Sequence, residues 1–296
     1  MKKIILGSLF IASFLVAEVI TLSPYIGEID YDSSSSKSEK DSGELRGIYA
    51  SVGDLSYLIE GGLSYMETSY KNASMKKRNQ SVKTLDQYDL SLMYSKYYEN
   101  FMIKGGLHYI STNDDQLNDG IILLAAIGNS KDIGIGKYSR GVELYHSYYS
   151  DGHDENYVAK SISILQVTPY FSFFTTINAD NKNSIDLRLN HIITSSYVTK
   201  NYTSYEISDT YYYKSFFTTI KAYFGDMRTG VKNGGMTVFN TLDLQKSGYG
   251  IKLGYYIKKN ADLSISYTQN NYREFEAVED GVNSVVVANF TYRFES

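Results

Sequence analysis

Two segments of the chain carry nearly the same twelve residues, and both alternate between apolar and polar side chains. Residues 57–68 read YLIEGGLSYMET and residues 101–112 read FMIKGGLHYIST, 44 positions further along. Side chains of a β-strand point to opposite faces in turn, so this pattern predicts a strand with one apolar and one polar face. A helix would need apolar residues three and four apart, and the Gly-Gly pair would weaken it. The duplication predicts one hairpin unit that is used more than once.

The polar face of this unit accepts either sign of charge. Glu60 in the first copy is replaced by Lys104 in the second, and Ser64 is replaced by His108. A face that carries an acid in one copy and a base in the other is predicted to meet water.

Composition excludes several classes of protein. The 296 residues include no Cys and no Trp, carry a formal net charge of -4, and contain 30 Tyr against 13 Phe. Without Cys the chain has neither a disulfide framework nor a Cys-based metal site, and its charge gives no sign of a nucleic-acid partner. A mean hydropathy of -0.29 is too polar for a helical membrane protein. Abundant Tyr suits a boundary between an apolar phase and water.

The N-terminus has the pattern of an export signal. Lys2 and Lys3 precede an apolar and small stretch over residues 4–16, and Ala17 follows it. This arrangement predicts a signal peptide over residues 1–17, cleaved after Ala17, and a single domain over residues 18–296. An uncleaved anchor helix is the alternative, but the run is shorter than the ~18 residues expected of a span.

The rest of the chain reads as strands joined by short and long connections in turn. We predict fourteen strands, six tight turns and seven long loops, with twelve strands as the alternative. Tight turns are predicted at Gly128–Lys131 and Gly225–Asp226, among others, and a long loop at residues 200–209. Alternation is poorest in the strands near 133–148 and 227–240. A second echo, YFSFFTTINA at 170–179 and YKSFFTTIKA at 213–222, also predicts equivalent positions before tight turns.

These strands favour a membrane barrel over a secreted β-sandwich. Charged residues and glycines share one face of several strands, and a sandwich would bury those charges in its core. Tyr and Phe concentrate near strand ends, as the aromatic girdles of a membrane barrel require. The sequence therefore predicts an all-β fold, a closed up-and-down antiparallel transmembrane β-barrel whose even strand number puts both ends on the periplasmic side.

The last strand carries a family resemblance. It reads SVVVANFTYRFES, with Phe290, Tyr292 and Phe294 on one face. This resembles the carboxy-terminal strand of bacterial outer-membrane β-barrel proteins, which the barrel-assembly machinery recognises, although Glu295 and Ser296 follow the last aromatic residue here. The resemblance implies export to the outer membrane, with membrane lipid and that machinery as partners. In size and strand number the chain also resembles the small monomeric porins of outer membrane protein G type.

The polar faces then predict a pore for passive diffusion of ions or small polar solutes, without a cofactor. Eight-stranded barrels fill their interior and sixteen-stranded ones leave a channel, so fourteen strands predict a narrow lumen unless an outer loop folds into it. Mixed charges predict weak ion selectivity, and Asp186 and Arg188 are equally compatible with a salt bridge in the wall. The predicted lining residues are Glu60, Asp89, Lys104, His108, Asp186, Arg188, Lys252, Lys258 and Arg293.

Two clusters raise the possibility of other chemistry. His108, Ser111 and Asn113 contain the residue types of an outer-membrane lipase triad, but the local motifs of such enzymes are absent. The loop at residues 151–155 holds three carboxylates and His153, without the spacing of a calcium loop. We therefore predict no enzyme and no metal, and keep a surface adhesion or structural role, or a lipase or protease, as alternative functions.

Overall fold

In the computed structural model the chain forms a closed antiparallel barrel of fourteen strands. The structure describes residues 19–32, 40–71, 84–113, 117–153, 159–195, 199–274 and 279–295. Over these residues no helix is long and apolar enough to cross a membrane. The barrel strands are β1 (Val19–Tyr31), β2 (Lys40–Gly53), β3 (Tyr57–Tyr70), β4 (Thr84–Tyr97), β5 (Phe101–Thr112), β6 (Leu117–Asp132), β7 (Lys137–His153), β8 (Ala159–Asn178), β9 (Asn181–Thr194), β10 (Asn201–Tyr213), β11 (Phe216–Met227), β14 (Leu244–Lys258), β15 (Ala261–Arg273) and β16 (Gly281–Glu295).

Each strand pairs with its neighbours in the sequence, and the ring closes where β1 pairs with β16, from Val19 opposite Glu295 to Tyr31 opposite Asn283. The connections at one end, here called the short-turn end, are two to four residues long. Those at the opposite end, the long-connection end, have four to sixteen residues. The predicted fold class and the count of fourteen strands are confirmed, and the alternative of twelve is wrong.

The first pair of repeated segments corresponds to equivalent strands. Residues 57–68 and 101–112 form β3 and β5, and each strand begins directly after a short turn. In the turn before β3 the Asp54 carboxylate accepts hydrogen bonds from the backbone N–H groups of Ser56 and Tyr57. The bond from Ser56 is the main reason that the pKa of Asp54 is lowered. Each repeating unit therefore contains two strands, β3 and β4 in the first copy and β5 and β6 in the second, which is the predicted hairpin.

The prediction that the second pair of similar segments occupies equivalent positions before tight turns is wrong. Residues 170–179 run down β8 into a short turn, whereas residues 213–222 cross the turn at 214–215 and then run up β11. The two copies thus lie in strands that run in opposite directions. Similar letters arise because both segments occupy the aromatic-rich short-turn end of the wall.

Other boundaries also differ from the sequence-based expectation. The predicted turns at 128–131 and 225–226 lie inside β6 and β11, and the predicted loop at 200–209 is almost entirely β10. The weak strand near 227–240 is not a wall strand. Residues 228–243 form a connection that contains a small hairpin, β12 (Val231–Lys232) and β13 (Thr237–Val238), with a 3-10 helix at Asn233–Gly235 between its strands. The predicted signal peptide at 1–17 lies outside the described residues.

The outer surface of the wall is banded. Along β4 the exposed residues run Tyr88, Leu90, Leu92 and Tyr94, and along β14 they run Tyr249, Ile251, Leu253 and Tyr255. In both strands two aliphatic side chains lie between two tyrosines, and on β14 Ile257 follows the second tyrosine. An aliphatic band between two aromatic girdles is the surface that a bilayer requires of a barrel.

Adjacent residues of β15 test this orientation. Ile265 is exposed on the outer face between Leu263 and Tyr267, whereas Ser266 lines the interior. We expect Ile265→Arg to reduce the free energy of unfolding in lipid vesicles by about 2–4 kcal/mol, because it places a cation in the hydrocarbon. The same substitution at Ser266 should cost much less. Urea unfolding of both variants measures the difference, and equal losses would contradict the proposed orientation of the wall.

Candidate solute pathway in the barrel lumen

The connection between β11 and β14, residues 228–243, lies inside the barrel and is here called the lumen segment. Its residues contact the wall in every direction. Lys232 pairs with Glu206 of β10 at 3.0 Å, the backbone oxygen of Gly235 lies 2.8 Å from His108 of β5, and Asp243 pairs with Lys40 of β2. One short segment reaches strands this far apart around a closed ring only from within it.

The tip of the lumen segment needs glycine. Gly234 and Gly235 have φ values of +62° and +95°, in the left-handed region that disfavours other residues. A Cβ on Gly235 would lie 2.5 Å from the Met93 side chain on β4, and one on Gly234 would lie 3.1 Å from Lys104 Nζ on β5. The segment therefore crosses the lumen and approaches the opposite wall without side chains at the closest point.

One side of the lumen is packed and apolar. Val231 of the lumen segment is buried in a cluster with Met93, Ile110, Ile122 and Leu124 of the wall, and Met236 and Val238 pack against it. Leu242 lies in a second cluster with wall residues that include Ile162, Ile164 and Ile192. These contacts bury the lumen segment against strands β4 to β9.

A buried amide fixes the start of the lumen segment. The Gln166 side chain on β8 donates to the Val231 carbonyl at 2.7 Å and accepts from the Val231 N–H at 2.8 Å. Gln166 is 1% exposed, so both backbone groups exchange water for a fully satisfied partner. Gln166 could not be identified from the sequence, because a single glutamine on the inner face of a strand carries no motif.

The positions at which the repeated segments differ meet one another in space. Glu60 Oε2 accepts from Lys104 Nζ at 2.8 Å across β4. Ser64 and His108 both bond to the Asp89 carboxylate of β4, at 3.2 Å and 2.8 Å. The two copies therefore diverge where β3 and β5 interact through the strand between them.

His108 joins the wall to the tip of the lumen segment. Its Nε2 lies 2.8 Å from Asp89 and its Nδ1 lies 2.8 Å from the Gly235 oxygen, and the ring is 1% exposed. Ser111 alternates with His108 and so lies on the other face of β5, which leaves the lipase-like combination without a nucleophile. The described residues contain no group of three or more His, Cys, Asp or Glu side chains that could hold a metal, and the carboxylates at 154–155 lie outside them.

The other predicted lining residues occupy the opposite side of the barrel. Asp186 accepts a hydrogen bond from Ser172, and Arg188 pairs with Glu143 at 2.7 Å rather than with Asp186. Arg293 pairs with Asp262 at 2.9 Å near the short-turn end. Lys252 lies over the Phe217 ring at 5.6 Å, and Lys258 is exposed at the last position of β14.

An open cavity of about 620 Å³ lies on this side. The described residues that line it include four cationic and three anionic side chains, which are Lys40, Arg188, Lys221, Lys232, Asp186, Glu206 and Asp243. The lumen is thus asymmetric, with one side filled by the lumen segment and the other side charged and open. Of these seven residues, Lys40, Glu206, Lys221, Lys232 and Asp243 were not predicted as lining residues.

The end of the lumen segment is held by a buried ion pair. Lys40 and Asp243 pair at the long-connection end, with side chains 7% and 4% exposed. Lys40 Nζ also lies 5.6 Å from the Tyr31 ring and 5.7 Å from the Tyr272 ring. The segment is therefore fixed to the wall at its start, its tip and its end.

The aromatic residues of the last strand lie on the outer face. Phe290 and Phe294 are exposed, and Tyr292 contacts Phe294 edge to face at a centroid distance of 4.6 Å. Their predicted part in barrel assembly stays a prediction.

No family model and no curated protein matches this chain. Solved structures do match across nearly its full length. The toluene transporter TodX of Pseudomonas putida covers 96% of this chain and 92% of its own, with a TM-score of 0.54 and 9% identity. The toluene transporter TbuX of Ralstonia pickettii gives 0.52 and 9%, with 94% and 89% covered. The monoaromatic hydrocarbon channel CymD gives 0.51 and 7%, with 98% and 92% covered. The chain shares its barrel fold with these transporters and channels.

Proposed function

We propose that this protein is an outer-membrane channel through which ions or small polar solutes diffuse passively. The observation that carries the proposal is the lumen, where charged side chains surround an open cavity of about 620 Å³ inside a ring whose outer face is apolar. Charged groups within the depth of a membrane mark solute pathways, because elsewhere they are too costly to keep.

The lumen segment would act as the constriction of this channel. It occupies one side of the lumen and leaves the charged side free, so solutes would pass along β9 to β16 and the adjoining strands β1 to β3. Acids and bases alternate along that wall, and most are paired, which supports weak rather than strong ion selectivity. No redox group or energy source enters this mechanism.

Export by the N-terminal signal, insertion by the barrel-assembly machinery and residence among outer-membrane lipids belong to the same proposal. The aromatic face of β16 and the two girdles support it, since both suit a bilayer. The structural similarity to transporters and channels supports transport over the lipase, protease and adhesion alternatives.

Recording from refolded protein in planar bilayers tests the proposal. We expect stable single-channel steps in KCl, with a reversal potential close to zero in a salt gradient. Protein that shows a β-rich circular dichroism spectrum and heat-modifiable electrophoretic mobility, yet leaves the bilayer silent, would contradict the channel and favour a structural or adhesion role.

A further inference from the structure

Among the described residues that line the cavity, one cation is outside any ion pair. Lys40, Lys232 and Arg188 are each paired, with Asp243, Glu206 and Glu143. Lys221 lines the same cavity and makes no ion pair or hydrogen bond with any residue that the structure describes. An ammonium group in a lumen walled by protein attracts anions more strongly than one in open water, because the local dielectric is lower.

The surroundings of Lys221 reinforce its positive potential. Its electrostatic neighbours are Lys232, Lys252 and the Glu206 carboxylate. Glu206 is already engaged by Lys232 at 3.0 Å and by Asn190 at 2.7 Å. Of the described lining residues, Asp186 is the other carboxylate outside an ion pair, and it accepts a hydrogen bond from Ser172 on β8.

Glycine gives Lys221 room to reach across the wall. Gly250 of β14 is the register partner of Lys221, and a Cβ there would lie 2.8 Å from Lys221 Cε and 2.8 Å from Thr268 Oγ1. The lysine side chain therefore crosses over Gly250 toward the hydroxyl of Thr268 on β15. Together the ammonium and the hydroxyl offer two hydrogen-bond donors to an anionic oxygen.

Lys221, Gly250 and Thr268 lie side by side on adjacent strands, and the next inward-facing residues in this row are apolar. Thr268 pairs with Val285 of β16, and Val285 pairs with Ile29 of β1. Val285 and Ile29 belong to an apolar cluster that also contains Leu45, and all three line the cavity. The backbones of Lys221 and Val285 are three strand spacings of ~4.8 Å apart, and the lysine side chain reaches across the first of them. The cavity has a volume typical of small-molecule sites.

We propose that Lys221 and Thr268 bind the carboxylate of a small amphipathic organic anion, whose hydrocarbon part lies against Val285, Ile29 and Leu45. The inference rests on the proposed channel function and assigns it a preferred class of solute. Lys252 lies two residues beyond Gly250 on β14, toward the short-turn end, and offers the next cation along the path.

Isothermal titration calorimetry on the refolded full barrel tests the site with hexanoate as the probe. Three matched ligands serve as controls. Hexanamide lacks the negative charge, hexylammonium reverses it, and acetate lacks the apolar part. We expect hexanoate to bind best and Lys221→Met to weaken it about tenfold, the loss expected of one charge-assisted hydrogen bond. Lys246→Met is the control, because Lys246 lies on β14 but pairs with exposed Asp280. Val285→Thr should weaken hexanoate and leave acetate unchanged.

Equal binding of hexanoate and hexanamide, or unchanged binding to the Lys221 variant, would overturn the site. Bilayer recordings separate this result from failure of the channel. Conductance steps that hexanoate does not block would overturn the site and leave the channel. Silent bilayers with hexanoate binding that depends on Lys221 would overturn the channel and support the site.

Discussion

Replacing residues 229–242 by a four-residue Gly-Ser linker should increase the single-channel conductance several-fold. Met227 and Gln245 are register partners in adjacent strands, so a short linker can join β11 to β14. The variant would lose the material that fills one side of the lumen while the wall keeps its hydrogen bonds. Planar bilayer recordings in KCl measure the change.

A second variant separates the volume of the lumen segment from its attachment. Replacing the same residues by a Gly-Ser stretch of equal length keeps the length of the segment and removes the packing of Val231 and Leu242, while Asp243 still pairs with Lys40. We expect intermittent closures of the current with this variant and a steady, larger current with the short linker. Unchanged conductance in both would show that the segment does not restrict the path.

The shortened variant should also be less stable. Removal of the segment exposes buried aliphatic side chains such as Ile122, Leu124 and Ile164 to water. Each is worth about 1.5–3 kcal/mol when fully buried, and partial contact among the remaining side chains will recover some of that. The expected result is a clear fall in the urea midpoint with the barrel still formed.

Asp243→Asn should destabilise the barrel by about 3–5 kcal/mol, the cost of leaving a buried charge without its partner. Lys40 is 5% exposed, and the Tyr31 and Tyr272 rings remain beside its ammonium in the variant. The lower end of the range is the better expectation, because two rings still face the ammonium. Urea unfolding in lipid vesicles measures the loss, and bilayer recordings should show added noise as the end of the lumen segment detaches.

Asp280→Asn is the matched control at the same end of the barrel. Asp280 bonds to Lys246 and Arg273, both at 2.8 Å, and its side chain is 44% exposed. The hydrogen bonds from Lys246 and Arg273 lower the pKa of Asp280, yet an exposed pair contributes less than about 1 kcal/mol. The double variant Lys40→Met, Asp243→Leu should recover most of the loss. Similar losses at Asp243 and Asp280 would show that burial of the first pair does not matter.

Much of the wall could be predicted from the sequence because the alternation has a direct physical cause. One face of each strand meets an apolar phase and the other meets polar groups, as in β14, where Ile251, Leu253 and Tyr255 are exposed between lumen-facing residues. The repeated segments located β3 and β5 correctly for the same reason. The predicted strand boundaries are wrong where glycine and aspartate lie inside a strand instead of in a turn. Gly225, for example, has a φ of +99° and lies at a register irregularity within β11.

The lumen segment could not be predicted in the same way, because its residues pack against side chains from distant strands. A signal was nevertheless present in the wall. Residues 121–127 read IILLAAI, so apolar side chains occupy both faces of β6. Leu123 is 54% exposed and Leu124 is 6% exposed. An apolar inner face in a barrel wall requires something apolar inside to cover it, and alternation alone does not report what that is.

The charged pairs could be predicted from the sequence only in part. Glu60 and Lys104 were recognised as equivalent positions of a repeat, and their contact depends on a register that spans three strands. Asp186 and Arg188, two apart on one strand, suggested a pair that the structure does not contain. Arg188 reaches Glu143 on β7 instead, because the interior of a barrel is curved and brings inward side chains of separate strands together.

The pairing of β1 with β16 has a consequence for how the protein reaches its final state. Val19 and Glu295 pair across the first and last strands of the barrel, so these hydrogen bonds form only after β16 has been delivered. Until then two strand edges carry unpaired N–H and C=O groups, which hydrocarbon cannot solvate. Entry into the bilayer and joining of the first and last strands should therefore be a single late event, and a chain halted before β16 should remain outside the hydrocarbon.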